Sequence, residues 1–293
     1  MNFMHHASRI THYQLGLIGY PLSHSLSPKI HTAALKACDL EGNYSLFPIH
    51  PEDKQGLKDF LNQVRAKQIH GLNVTIPHKQ NVIEFIDELT PTAKSIGAVN
   101  TIYLKDEKLM GDNTDAMGFL TDLKKLVNKE TSKQVNKSAL VLGAGGSARA
   151  VIYALLNDGW NVAIASRRVE QAKEISSSFP NHASRITNYQ LPITNLTDLQ
   201  PSTFNLIINT TPIGMTPNIN ESPLPENLSL TSNIFIYDLV YNPRETKLIK
   251  SAKQNGNHAT TGLGMLIEQA ALSFEIWTGK KPPREILYQT VVE

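Results

Sequence analysis

The sequence predicts an α/β protein built as two domains. Apolar β-type segments alternate with amphipathic helical ones in two successive series, a polar stretch NKETSKQVNKS at 128–138 separates the series, and a glycine-rich turn follows the first strand of the second. A length of 293 residues agrees, because it exceeds what one hydrophobic core usually organises.

The first series opens with LGLIGY at 15–20, an apolar run closed by Pro21. A helix is expected after Pro28, which suits a first helical turn, and Ile30, Ala33, Ala34 and Ala37 then share one face. NYSLFPIH at 43–50, IHGLNVTI at 69–76 and AVNTIYL at 98–104 read as strands, with helical stretches near 52–67 and 79–88. The second series begins with the strand ALVLG at 139–143 and a helix around 147–158. It continues through NVAIAS at 161–166, a helix near 169–178, FNLIIN at 204–209 and IFIYDLV at 234–240. Parallel strands need crossovers, usually helical, so mixed or parallel sheets covered by helices are expected. The segment 212–232, rich in Pro, Asn and Ser, reads as a long loop of the kind that borders ligands. Leu263, Leu266, Ile267, Ala270, Ala271 and Phe274 trace an apolar stripe on a closing helix. HASRITHYQL at 6–15 and HASRITNYQL at 182–191 agree at nine of ten positions. The match is far shorter than a structural repeat of roughly 20 residues or more and is not read as domain duplication.

Composition removes several function classes. With 41% hydrophobic and 18% charged residues the chain is an ordinary globular one, neither disordered, collagenous nor coiled coil. A net charge of +2 from 28 basic and 26 acidic side chains gives no field suited to nucleic acid. The lone Cys38 excludes an intramolecular disulfide or a cysteine metal site, no metal site is expected, and no apolar run suggests a signal peptide or a membrane span. A cytoplasmic protein with a small-molecule substrate, acting as monomer or homodimer, is the expectation.

Gly143, Gly145 and Ala148 in GAGGSA supply the dinucleotide fingerprint directly after a strand and at the opening of a helix. The first glycine allows the tight turn, the second admits a pyrophosphate to the backbone N–H groups, and the small third residue packs helix on strand. About 20 residues on, where an NAD protein offers a carboxylate to the ribose, this chain has Ser166, Arg167 and Arg168. Guanidinium groups pair with a 2′-phosphate that a carboxylate would repel, so NADP is favoured as cofactor. The plain alternative is two solvated arginines opening a helix, and Glu170 softens the charge argument.

In the first series, SHSLSP at 23–28 puts Ser25 and Ser27 on a turn before a helix, where hydroxyls meet an anionic or polyhydroxylated ligand, or where Ser27 simply caps the helix. NVTIPHK at 73–79 places Asn73 and Thr75 on one face of a strand and Lys79 just beyond its carboxyl end. Asn100, Asn113 and Asp115 in AVNT and GDNTD add amides and a carboxylate, although Asp115 alone also suits a helix cap.

GYPLSHSLSP, NVTIPHK, GAVNT, GDNTD, GAGGSAR, NTTPIGM, YDLVYNP and GLGMLIEQA, in this order from about Leu15 to the carboxyl end, resemble the shikimate dehydrogenase family of the aromatic amino-acid pathway. The resemblance implies reversible reduction of 3-dehydroshikimate to shikimate with NADPH. It implies a mixed α/β substrate domain over 1–115 and 263–293, a Rossmann-like NADP-binding domain over 116–262, and an interdomain cleft. It assigns Ser25, Ser27, Thr75, Asn100, Tyr241 and Gln269 to the substrate, and Lys79 and Asp115 to catalysis. On the cofactor side it assigns the phosphate loop Gly143, Ala144, Gly145, Gly146 and Ser147, the clamp at Ser166, Arg167 and Arg168, and the nicotinamide neighbours Met215, Leu239 and Gly262. The chain departs from the pattern at Ser166 and Arg168 within the common Asn-Arg-Thr, at Gln171, at Thr261 for a usual Asp, and at Ala116 for a usual Gly. Two other readings share the fold: a quinate/shikimate dehydrogenase using NAD, against which the arginines argue, and a non-catalytic sensor of shikimate-like ligands, against which Lys79 and Asp115 argue.

Overall fold

The structure, a computed structural model, describes residues 12–130, 137–190, 204–224 and 234–292. Expectations for the residues before His12, for 131–136 and for 225–232 lie outside the described residues. The chain forms two compact units, one made of the residues up to Leu89, Val99–Asp112 and Ala270 onward, the other of Thr90–Ala98 and Asn113–Gln269.

The first unit holds β1 (Tyr13–Gly19), α1 (Ser27–Ala37), β2 (Gly42–Pro48), α2 (Lys54–Arg65), β3 (Gly71–Val74), α3 (His78–Asn81) and β4 (Glu88–Leu89). The hairpin β5 (Thr101–Lys105) and β6 (Lys108–Asp112) follows. Their order in the sheet is β2-β1-β3-β5-β6-β4. β1 pairs in parallel with β2 and β3, whereas β5 runs antiparallel to β3 and β6, which makes this the mixed sheet. The hairpin turns on Asp106 and Glu107 at φ 50° and 60°, a two-residue turn of the hand that matches strand twist. α1 buries Ile30, His31, Ala34 and Leu35 rather than Ala33 and Ala37, because the larger His31 and Leu35 claim the core side of the same helix.

The second unit holds α4 (Pro91–Ile96), α5 (Asp115–Glu130), β7 (Ser138–Leu142), α6 (Gly146–Asn157), β8 (Asn161–Ser166), α7 (Val169–Ser177) and β9 (Ile186–Gln190). It continues with β10 (Leu206–Asn209), β11 (Phe235–Asp238), α8 (Lys247–Gln254) and β12 (Ala259–Thr261). All six strands are parallel in the order β12-β11-β10-β7-β8-β9, the doubly wound arrangement that reverses direction between β7 and β10. Both faces are covered, which is why the strands read as continuous apolar runs. Ala139, Val141, Ile164 and Ile208 pack with Phe119 and Leu123 of α5 and Ile152 and Leu155 of α6. The alternate residues Leu140, Leu142, Ala163 and Ile207 pack with Leu248, Ile249 and Ala252 of α8.

The division between the units falls within α9 (Leu263–Thr278). This helix does not close the chain, since α10 (Arg284–Val292) follows it and packs on α1. No helix among the described residues is long and apolar enough to cross a membrane.

Asp238 ties the ends of two strands to a helix. Its carboxylate accepts from Asn209 Nδ2 at 2.8 Å, from the Val240 N–H at 3.0 Å and from the Thr246 hydroxyl at 2.6 Å. The group is fully buried, and burial pushes its pKa up to about 6 despite these three donors. A carboxyl whose folded pKa lies above its unfolded one binds its proton more tightly when folded. Its contribution is therefore complete below the unfolded pKa near 4 and is lost as pH rises through about 6. We predict that stability measured by urea unfolding falls by about 2 kcal/mol between pH 4 and 7 relative to the same profile of Asp238→Asn. Parallel profiles of the two proteins would contradict it.

Candidate active site

In the first unit the candidate residues gather where β1 and β3 end. The Thr75 N–H donates to Ile18 O at 2.8 Å, which holds the residue after β3 against the end of β1. A Cβ on Gly19 would stand 2.3 Å from the Thr75 methyl, so these strand ends meet only because position 19 lacks a side chain. Lys79 follows in the short α3, and its carbonyl accepts from the Val99 N–H at 2.7 Å. The neighbouring His78, buried, donates from Nε2 to Ile49 O at 2.7 Å and pins α3 to the segment after β2.

Asn100 is fixed through its backbone. Its N–H donates to Asp112 O at 3.0 Å, and its carbonyl accepts from the Val74 N–H at 2.8 Å. Ser25 and Ser27 lie on the β1–α1 connection, where the Ser25 hydroxyl accepts from the Ser27 N–H at 3.2 Å. Ser27 is not the helix cap: that position belongs to Leu26, which makes no side-chain cap bond, and Ser27 is the first, buried residue of α1. Ser25, Ser27, Thr75, Lys79 and Asn100 thus share the carboxyl edge of the parallel strands. Two exposed apolar side chains sequence reasoning missed, Tyr20 and Ile76, are joined there by a backbone hydrogen bond of 3.0 Å.

In the second unit Gly143 takes φ +114°, and a Cβ there would fall 2.6 Å from Thr210 Oγ1. That hydroxyl donates to Leu142 O at 2.7 Å, so β10 backs the turn directly. Gly145 is the opposite case, since a Cβ on it would meet nothing within 4 Å. Ala144, Gly145, Gly146 and Ser147 run from this turn into α6, whose first N–H groups lack intrahelical partners, while Ala148 is fully buried. An open cradle of N–H groups at a helix start fits a pyrophosphate.

At the end of β8 the Ser166 hydroxyl is buried and accepts from the Arg168 N–H at 3.2 Å, which shapes the turn that carries Arg167 and Arg168 into solvent. Met215, Leu239, Tyr241 and Gly262 follow β10, β11 and β12 at the same carboxyl edge. Gly262 is needed by packing, because a Cβ would stand 2.4 Å from Leu239 O.

Asp115 is the first residue of α5 and is buried. Two residues before it, Asn113 serves the first turn: its Oδ1 accepts from the N–H groups of Asp115 at 3.1 Å and Ala116 at 3.4 Å. Asn113 is itself anchored by donating to Ala98 O at 2.9 Å. The same helix meets α9 at Gly118, where a Cβ would lie 2.8 Å from Gln269 N. Of the residues assigned to substrate or catalysis, Asp115, Tyr241 and Gln269 thus belong to the second unit and the other five to the first.

Three family models match the chain: "Shikimate dehydrogenase substrate binding domain" over residues 17–102, "Shikimate / quinate 5-dehydrogenase" over 125–248, and "Shikimate 5'-dehydrogenase C-terminal domain" over 262–292. A protein of Carboxydothermus hydrogenoformans named shikimate dehydrogenase (NADP(+)) is 41% identical, covering 94% of this chain and 95% of that protein. Among solved structures, shikimate 5-dehydrogenase from Thermus thermophilus in complex with NADP(H) and shikimate superposes with a TM-score of 0.80 at 33% identity, covering 96% of this chain and 98% of that one. Quinate dehydrogenase from Corynebacterium glutamicum in complex with NAD reaches a TM-score of 0.83 at 28% identity, covering 96% and 98%. With these models matching most of its length and a relative 41% identical across 94% of it, the chain belongs to the shikimate dehydrogenase family.

Proposed function

We propose that this chain is an NADP-dependent shikimate dehydrogenase that interconverts 3-dehydroshikimate and shikimate. The observation that carries the reading is the match to a protein named shikimate dehydrogenase (NADP(+)), 41% identical across 94% of the chain; the chain's own Lys79, Asp115 and GAGGSA loop support it.

The residues of the second unit fit a dinucleotide: Gly145 leaves open space before the first turn of α6, and the end of β8 bears two exposed guanidinium groups and no carboxylate. Bound there, NADPH supplies the hydride for reduction of the ring ketone. Gly143 to Ser147 would hold its phosphates, Ser166 to Arg168 its adenosine phosphate, and Met215, Leu239 and Gly262 would border its nicotinamide. The NAD-using quinate reading is the weaker one, because Arg167 and Arg168 suit a 2′-phosphate.

Reduction of the ring ketone would place negative charge on its oxygen, where a proton is required. The Lys79 ammonium donates it, leaving a neutral amine and the product hydroxyl; in the reverse direction the amine takes the hydroxyl proton back. Asp115 is the second catalytic group on this reading. Ser25, Ser27, Thr75, Asn100, Tyr241 and Gln269 hold the carboxylate and ring hydroxyls, so that reacting atoms rather than whole molecules need to be positioned. Work as a monomer or homodimer in the cytoplasm completes the proposal, in line with the single Cys38.

Two experiments test it. Lys79→Ala is expected to lower kcat for shikimate oxidation at least about 100-fold with little change in substrate KM, the scale of general acid–base catalysis. Near-normal turnover would overturn the assignment. Replacing both Arg167 and Arg168 by Ala is expected to raise the KM for NADP⁺ by roughly 10-fold or more while leaving that for NAD⁺ nearly unchanged. Equal effects on the two cofactors would refute the clamp.

A further inference from the structure

We infer that Ser273 and Thr101 are positioning residues that fix the amide of Asn100, so that this side chain meets its ligand as a hydrogen-bond donor. The inference rests on the proposed role of Asn100 as a substrate ligand and adds the device that orients it.

The chain of contacts begins at a group whose role is not negotiable. The Asn100 carbonyl can only accept, and it lies 3.1 Å from Asn73 Nδ2, so the nitrogen of that amide must face it. The same Nδ2 donates to Ser273 Oγ at 3.0 Å, and the other end of the amide, Oδ1, accepts from the Tyr44 hydroxyl at 2.9 Å. Ser273 Oγ stands 2.7 Å from Thr101 Oγ1, and the Thr101 hydroxyl donates to Asn100 Oδ1 at 2.9 Å. A hydroxyl has one proton. With that of Thr101 committed to Asn100, the proton between the two hydroxyls comes from Ser273. The relay runs one way, from Tyr44 through Asn73, Ser273 and Thr101 to Asn100.

All five side chains are buried, Ser273 and Thr101 completely, so hydrogen bonds within the protein must replace those to water. The head of the relay is held by packing. The Tyr44 ring stacks on His31 at 4.3 Å with 1° between planes, and Trp277 lies 5.3 Å from the same imidazole. Burial keeps His31 neutral, with its pKa held down at about 3, so no charge intrudes on the stack.

The consequence is a single amide flip at Asn100: Oδ1 on the Thr101 side and Nδ2 on the other. A donor can meet a ring oxygen whether that oxygen is a hydroxyl or a carbonyl, whereas an acceptor could meet only the hydroxyl. Neither Ser273 nor Thr101 needs to touch the ligand to impose this.

The test compares steady-state kinetics of Thr101→Val, Thr101→Ser, Ser273→Ala and Asn100→Ala, and of the pairs with Asn100→Ala. Thr101→Val and Ser273→Ala should each raise the KM for shikimate about tenfold, with the KM for NADP⁺ within about twofold of the parent. Thr101→Ser, which keeps the hydroxyl, should restore the parent value, and neither substitution should raise the KM further in an Asn100→Ala background. Unchanged shikimate KM in Thr101→Val and Ser273→Ala, or full additivity with Asn100→Ala, would overturn the relay while leaving the substrate role of Asn100 standing. An unchanged KM in Asn100→Ala itself would instead remove that role and the relay with it. Ser273→Ala takes a single oxygen from a helix and carries the test by itself should the strand variant fail to fold.

Discussion

Parallel pairing is the constraint from which the rest of this protein follows. Strands that run the same way deliver their carboxyl ends to one edge of the sheet, and the chain must turn there into a helix or loop. In the first unit that edge receives the turns after β1 and β3, which carry Ser25, Thr75 and Lys79. In the second it receives the GAGGSA loop, the two arginines after β8, and the segments after β10, β11 and β12. Crowding at such an edge explains its glycines: Gly19 yields to Thr75, Gly143 to Thr210 and Gly262 to Leu239.

Each edge carries a buried polar knot beside its apolar packing. Asp238 collects Asn209, Val240 and Thr246 in one unit, and Asn73 collects Tyr44, Ser273 and the Asn100 carbonyl in the other. Apolar contacts are indifferent to rotation, whereas hydrogen bonds are not, and an unmet buried donor costs about 1–3 kcal/mol. Such knots hold loops in one arrangement at the expense of desolvation, which the raised pKa of Asp238 records.

Much of this was legible in the sequence. β8 spans NVAIAS itself, and the strand, glycine turn and helix around Gly143 follow the fingerprint, because a strand covered on both faces is an uninterrupted apolar run. What escaped has local causes. β4 has two residues and no pattern to detect. The β5–β6 hairpin turns on Asp-Glu, without the Asn-Gly or Asp-Gly that announces such a turn. The Thr90 cap, Pro91 and Gly97 mark α4 by the usual signs of a helix start and stop, but six residues leave no periodicity to connect them. Ser273 carried no signal, being one polar residue beside an apolar stripe whose partners Thr101 and Asn73 lie far away in sequence. Asp115 could be read as a cap or as a functional carboxylate; it proves to be the first residue of α5, with its N–H taken up by Asn113.

In the reaction proposed above, the ammonium of Lys79 would deliver and recover the proton of the reacting ring oxygen. A crystal structure of the protein with shikimate and NADP⁺ decides whether it does. Lys79 Nζ is expected about 3 Å from the hydroxyl oxygen of the carbon that gives up the hydride. A lysine directed away from that oxygen, with another titratable side chain in its place, would contradict it.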